Sequence, residues 1–124
     1  MWIYEWRNSD DGEFRPCYCF QGGEFLPADY EVMNLGTSQS RTSWFTQAVV
    51  CVKWMLSEDG EEVLGDWTLF GKTLKKKVRG EVETVAEFGN ERDRVEALER
   101  FLGVRLSEEE RNGIRGMVSA LPPA

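Results

Sequence analysis

Cys17-Tyr18-Cys19 sets two thiols one residue apart, and Cys51 supplies a third. Sulfurs at i and i+2 of an extended segment share a face and could hold a soft metal, or one could act as a nucleophile. A structural zinc site wants four nitrogen or sulfur ligands, commonly with a turn-borne spacing such as C-x-x-C. A reactive thiol wants a base or an electropositive pocket. The chain has no fourth cysteine and no histidine at all. That removes the commonest general base, the commonest metal ligand, and the Ser-His and Cys-His nucleophile systems. The thiols therefore read as small core hydrophobes. No catalytic residue, metal or cofactor is expected, and the chain reads as a non-enzyme.

Two acidic clusters come next. Asp10, Asp11 and Glu13 surround Gly12, and Glu58 and Asp59 precede Gly60. Neither has the alternating oxygen ligands and terminal glutamate of a calcium loop. The propensity of Asp and Gly for tight turns makes them hairpin tips. Two acidic tips at one end of a sheet would form a negative pole able to compete with phosphate for a basic partner. Lys72, Lys75, Lys76, Lys77 and Arg79 form the basic cluster. With Trp67 and Phe70 nearby it could be the footprint of a single-strand nucleic-acid binder, with Lys72, Lys75, Lys77 and Arg79 as its contacts. The run turns acidic at Glu81 and Glu83, which favours a solvated strand face. Trp2 and Trp67 are the tryptophans expected to anchor a protein interface.

The elements that must position these residues begin with Thr46 to Leu56. Read at period two, Ala48, Val50, Val52, Trp54 and Leu56 make a wholly apolar face, as in a central strand over a core. Trp2–Arg7 and Phe14–Phe20 also alternate and flank a turn cluster, which predicts a β-hairpin. Pro16 costs its strand one ladder donor, so an edge or a bulge is expected there. Residues 21–43 give no firm assignment. Val63 to Phe70 reads as a strand, and Lys75 to Phe88 as a long one with a bend at Gly80. The last third becomes helical. Asn90 suits an N-cap, Val95, Leu98, Phe101 and Leu102 form a stripe, and Gly103 suits the position after a helix end. Ser107 to Glu110 reads as a capping box, with Ile114, Met117, Val118 and Leu121 as a second buried stripe.

These readings combine into an α+β fold: an antiparallel sheet of five or six hairpin-connected strands, followed by a C-terminal two-helix unit packed on it. Residues 1–124 are expected to form a single domain, with 1–88 mainly sheet and 90–121 a helical hairpin. At 124 residues there is length for one domain with a real core. No apolar run reaches a membrane span, and the N-terminus has neither basic leader nor cleavage site, so the expected setting is the cytoplasm. An odd number of cysteines without framework spacing agrees with a reducing compartment.

A formal net charge of −7 disfavours direct contact with nucleic acid or anionic lipid and suits a partner with a basic surface. Size, acidity, aromatic content and the missing histidine together predict a small non-catalytic binding protein. Its expected role is that of a phage- or mobile-element-style inhibitor or modulator of a larger, basic, nucleic-acid-handling protein. Its contact residues would be Asp10, Asp11, Glu13, Glu58, Asp59, Trp2 and Trp67. The alternative is the single-strand binder built on the sheet and the basic cluster.

Overall fold

The computed structural model describes residues 1–7 and 11–124. Two compact units divide the chain, Met1–Met33 and Asn34–Ala124. In the first, β1 (Trp2–Trp6) and β2 (Arg15–Phe20) form an antiparallel ribbon with Trp2 opposite Phe20 and Tyr4 opposite Tyr18. The register shifts between Tyr4 and Glu5, beside the pairing of Glu5 with Pro16. A bulge is how a strand absorbs a residue that cannot donate to the ladder. Tyr4 and Tyr18 stack with ring centroids 5.0 Å apart. Every residue of both strands is nonetheless exposed.

Helix α1 (Pro27–Gln39) opens with proline at its first position, where the missing N–H costs nothing. Asp29 accepts a hydrogen bond from the Leu26 N–H at 2.8 Å. A single turn, α2 (Trp44–Gln47), follows Ser43, and β3 (Val50–Leu56) begins only after it. The Thr46 hydroxyl donates to the carbonyls of Ser40 and Ser43, which holds residues 40–47 in a tight turn rather than a strand.

The second sheet runs β3-β4-β5-β6 in order, with β4 (Val63–Phe70), β5 (Thr73–Val78) and β6 (Glu81–Glu87), all antiparallel. The expected single sheet of five or six strands is therefore corrected: among the described residues there are two sheets, of two and four strands, with helices between them. The reason lies in residues 27–47, whose helix signals are not decisive in the sequence and whose helices come between the ribbon and the meander along the chain.

One face of the four-stranded sheet carries Cys51, Trp67, Leu69, Leu74 and Ala86. It packs on α3 (Glu91–Ala97) and the π-helical turn Leu98–Leu102 that continues it. Leu69, Leu74, Phe88, Ala97, Leu98 and Leu102 are the buried apolar core. Asn90 caps α3 by accepting the Asp93 N–H at 3.0 Å, and Gly103 closes it at φ +76°. Helix α4 (Glu108–Gly113) starts from a full capping box of Ser107 and Glu110 but stops after six residues. The expected stripe through Leu121 does not form as a helix. Gly116 sits at φ +80°, and Met117 and Val118 stay exposed.

The strand read as central is an edge strand, and its wholly apolar side is the uncovered one. Val52, Trp54 and Leu56 are exposed, whereas Cys51 lies against the core. Pattern shows which faces can be buried, and the helical stripe chose the face shared with Trp67 and Leu69.

Candidate functional site

A single arginine organises the end of the second unit. Arg94 lies on the helical stripe of Leu98 and Phe101 and is fully buried. Its Nε donates to Glu91 Oε1 at 3.2 Å and its Nη2 to Glu91 Oε2 at 2.5 Å, a two-point grip on one carboxylate. Its Nη1 donates to the Gly71 carbonyl at 3.0 Å and its Nη2 to the Ser119 carbonyl at 3.1 Å. Glu91 Oε2 also accepts the Leu121 N–H at 3.0 Å, and the Glu91 N–H donates to the Pro122 carbonyl at 2.9 Å. The pair thus ties the C-terminal segment to α3 and to the β4–β5 turn.

That tether builds a groove of about 820 Å³ between α3 and the residues around α4. Val95, Ile114 and Leu121 are among its apolar lining residues, and Arg92, Glu99 and Arg111 among its charged ones. The charges are mostly engaged. Arg92 faces Asp93 and Glu96, Glu99 faces Arg105 at 3.2 Å, and Arg111 Nε donates to the Leu106 carbonyl at 3.0 Å. No thiol or histidine lines the groove. It is a cleft that can hold a small amphipathic molecule, and its own walls offer no soft nucleophile.

Asp10 lies outside the described residues. Asp11 and Glu13 are exposed near β2, and Trp2 is exposed on the ribbon. Glu58 and Asp59 are exposed in the β3–β4 turn. The Ser57 hydroxyl beside the Asp59 carboxylate, helped by the Glu61 N–H at 3.1 Å, holds that acid below its ordinary range. Asp59 is thereby committed to shaping its own turn. Trp67 is half-buried, its ring 5.0 Å from Phe101 with the Lys76 ammonium 5.3 Å above it. Lys75 and Lys77 are exposed on the opposite sheet face, Lys72 is exposed in the β4–β5 turn, and Arg79 is exposed in the β5–β6 turn at φ 48°. The strand's alternation therefore divides the basic run between two faces and two turns.

Cys17 and Cys19 are exposed on the ribbon, and Cys51 is half-buried in the second unit. The first two are not the core residues the sequence suggested. Among the described residues no group of three His, Cys, Asp or Glu side chains could hold a metal, and no helix is long and apolar enough to cross a membrane. Arg94 and Glu91 are not among the residues that the sequence singles out. Their signal was present: an acid and a base three residues apart, with the arginine on the apolar stripe.

Likeness to known proteins supplies what the geometry does not. No protein-family model matches the chain. Curated relatives, however, are enzymes that transfer an acyl group. In particular, the chain is 36% identical over 117 residues to the N-malonyltransferase FDB2 of Gibberella moniliformis, and 37% identical over 118 residues to that of Fusarium pseudograminearum. Each match covers 92% of this chain and 34% of the relative, so the chain spans about a third of the length of the enzymes it resembles. These relatives overturn the expectation of a non-catalytic, phage-style inhibitor with a basic protein partner, and the single-strand-binding alternative with it. Composition misled because histidine is only the commonest of several acid–base groups, so its absence does not exclude catalysis.

Proposed function

We propose that this chain forms part of an N-acyltransferase that moves a malonyl group from an activated donor to the nitrogen of a small-molecule amine. The observation that carries the reading is identity of 36% maintained across 92% of the chain to a named N-malonyltransferase. In such a transfer the amine nitrogen attacks the malonyl carbonyl carbon, a C–N bond forms, the bond to the carrier breaks, and the nitrogen loses a proton. A general base normally takes that proton. The chain has no histidine to do so, and Arg94 and Glu91 are fully engaged with each other and with the backbone. Its own contribution is a rigid support: a meander sheet, closed on one side by α3, whose C-terminal end is fastened by a buried ion pair. The setting we propose is the cytoplasm, supported by three free thiols.

The test is a chimera in which this chain replaces the matching third of the Gibberella enzyme. Supplied with a malonyl thioester and a panel of primary amines, it is expected to form N-malonyl products detectable by mass spectrometry. A folded chimera that forms none, beside a parent enzyme that does, refutes the proposal.

A further inference from the structure

The uncovered side of the four-stranded sheet carries a continuous apolar strip. Trp44 and Phe45 stack at 3.7 Å, and the Trp44 ring lies 6.2 Å from that of Phe70. Phe70 pairs across the sheet with Val50, and the same side of β3 continues through Val52 and Trp54. These are not half-hidden residues: Trp54 is 62% and Val52 46% exposed. A monomeric protein rarely leaves so many adjoining large apolar side chains in water. Among the described residues nothing pairs with the outer edge of β3 either, because the sheet order places it at one edge. An exposed, apolar edge strand is a liability that proteins cover, blunt or pair, and β3 carries a single charge, Lys53, on its opposite face.

The ribbon of the first unit tells the same story independently. Its two strands are exposed throughout while bearing Trp2, Ile3, Tyr4, Trp6, Tyr18 and Phe20. A lone two-stranded hairpin is marginal in water, so aromatic residues on both its strands call for a surface to lie on.

We infer that the apolar side of β3, with Trp44, Phe45 and Phe70, is an internal surface that packs against a polypeptide equivalent to the two-thirds of the relatives that this chain does not match. The inference rests on the acyltransferase reading for the identity of the occupant. The observation that selects this occupant is the length relation: each relative carries about twice as much further chain as the part matched here. That further chain offers a large protein body, whereas α3 and the π-helical turn of the second unit are spent on the other face. The polar half of the same side, with Lys75 and Lys77 on β5, marks where the contact gives way to solvent, so the seam follows β3 and its open edge.

The experiment compares the free chain with the chimera described above, each carrying Val52→Cys. Glu61→Cys, in the β3–β4 turn, is the control. Both variants also carry Cys51→Ser, and alkylation at each site is followed by tandem mass spectrometry of the peptides, which separates it from Cys17 and Cys19. Position 52 is expected to react at least ~10-fold more slowly in the chimera than in the free chain, with position 61 unchanged. Equal rates at position 52 overturn the inference. So does slow reaction in the free chain that speeds up on dilution, which would make a second copy the occupant. As a second variant, Trp54→Glu should leave the circular dichroism of the free chain unchanged and lower the urea midpoint of the chimera. An unchanged midpoint counts against the seam. Alkylation is read without turnover, so the two ideas fail separately. An inactive folded chimera that shields position 52 sinks the acyltransferase reading and keeps the seam. An active chimera with a fully reactive position 52 does the reverse.

Discussion

Replacing Arg94 with methionine tests how far the buried ion pair holds the second unit together. The side chain is fully buried and donates four hydrogen bonds: two to Glu91 and one each to the carbonyls of Gly71 and Ser119. Methionine fills much of the volume but leaves Glu91, whose side chain is 19% exposed, without its counter-charge. Removing one partner of a buried pair costs about 3–5 kcal/mol, chiefly because the other charge stays behind. Against a typical domain stability of roughly 5–15 kcal/mol this is a large share. The urea midpoint should fall accordingly, and amide exchange at Leu121 should quicken, because its N–H donates to Glu91. Adding Glu91→Gln removes the stranded charge yet keeps an acceptor for Leu121, so the double variant should recover part of the loss. A coupling of roughly 0.5–3 kcal/mol between the two positions is expected from the cycle. A single-variant loss below about 1 kcal/mol, with unchanged protection at Leu121, would refute the tether.

Two further perturbations probe other parts of the second unit. At Gly65 an added Cβ would stand 1.9 Å from the Lys77 carbonyl oxygen on β5. Gly65→Ala should therefore force β4 and β5 apart and cost about 3 kcal/mol in urea unfolding, and an unchanged midpoint would contradict the pairing. At Glu110, the Ser107 N–H and hydroxyl hold the carboxylate below its ordinary range. A lowered folded pKa gives support that is fully present above the ordinary glutamate value and is lost as pH falls through the lowered one. Amide exchange in α4 should quicken across that acidic window, and Glu110→Gln should abolish the pH dependence. A variant that keeps it would assign the effect to another group.

What could be read in the sequence was local. The alternations at Trp2–Arg7 and in β3, the cap at Asn90, the glycine at Gly103 and the capping box at Ser107 each depend on neighbours within a few residues, and an element forms at each, although the strand expected from Thr46 begins only at Val50, after a helical turn. Which face of β3 is buried was not local. Val52 and Trp54 make the more apolar side, yet the stripe of Leu98, Phe101 and Leu102 meets Cys51, Trp67 and Leu69 instead. Residues 27–47 were opaque because Gly36, Thr37, Ser38 and Ser40 are weak helix formers, and α1 has no buried residue to announce it. Arg94 was overlooked for the opposite reason. A charged residue on an apolar stripe reads as an interruption until Glu91, Gly71 and Ser119 are seen around it. Function was the least legible, since the missing histidine describes only what this chain lacks.

Whether this chain serves an N-malonyltransferase is tested most sharply by the kcat/KM for N-malonylation of the chimera, set beside its parent and beside a parent lacking the matching third. A folded chimera should come within about two orders of magnitude of the parent, a transition-state difference of roughly 3 kcal/mol, and a truncated parent should show no turnover. A folded chimera no better than the truncated parent would contradict that role.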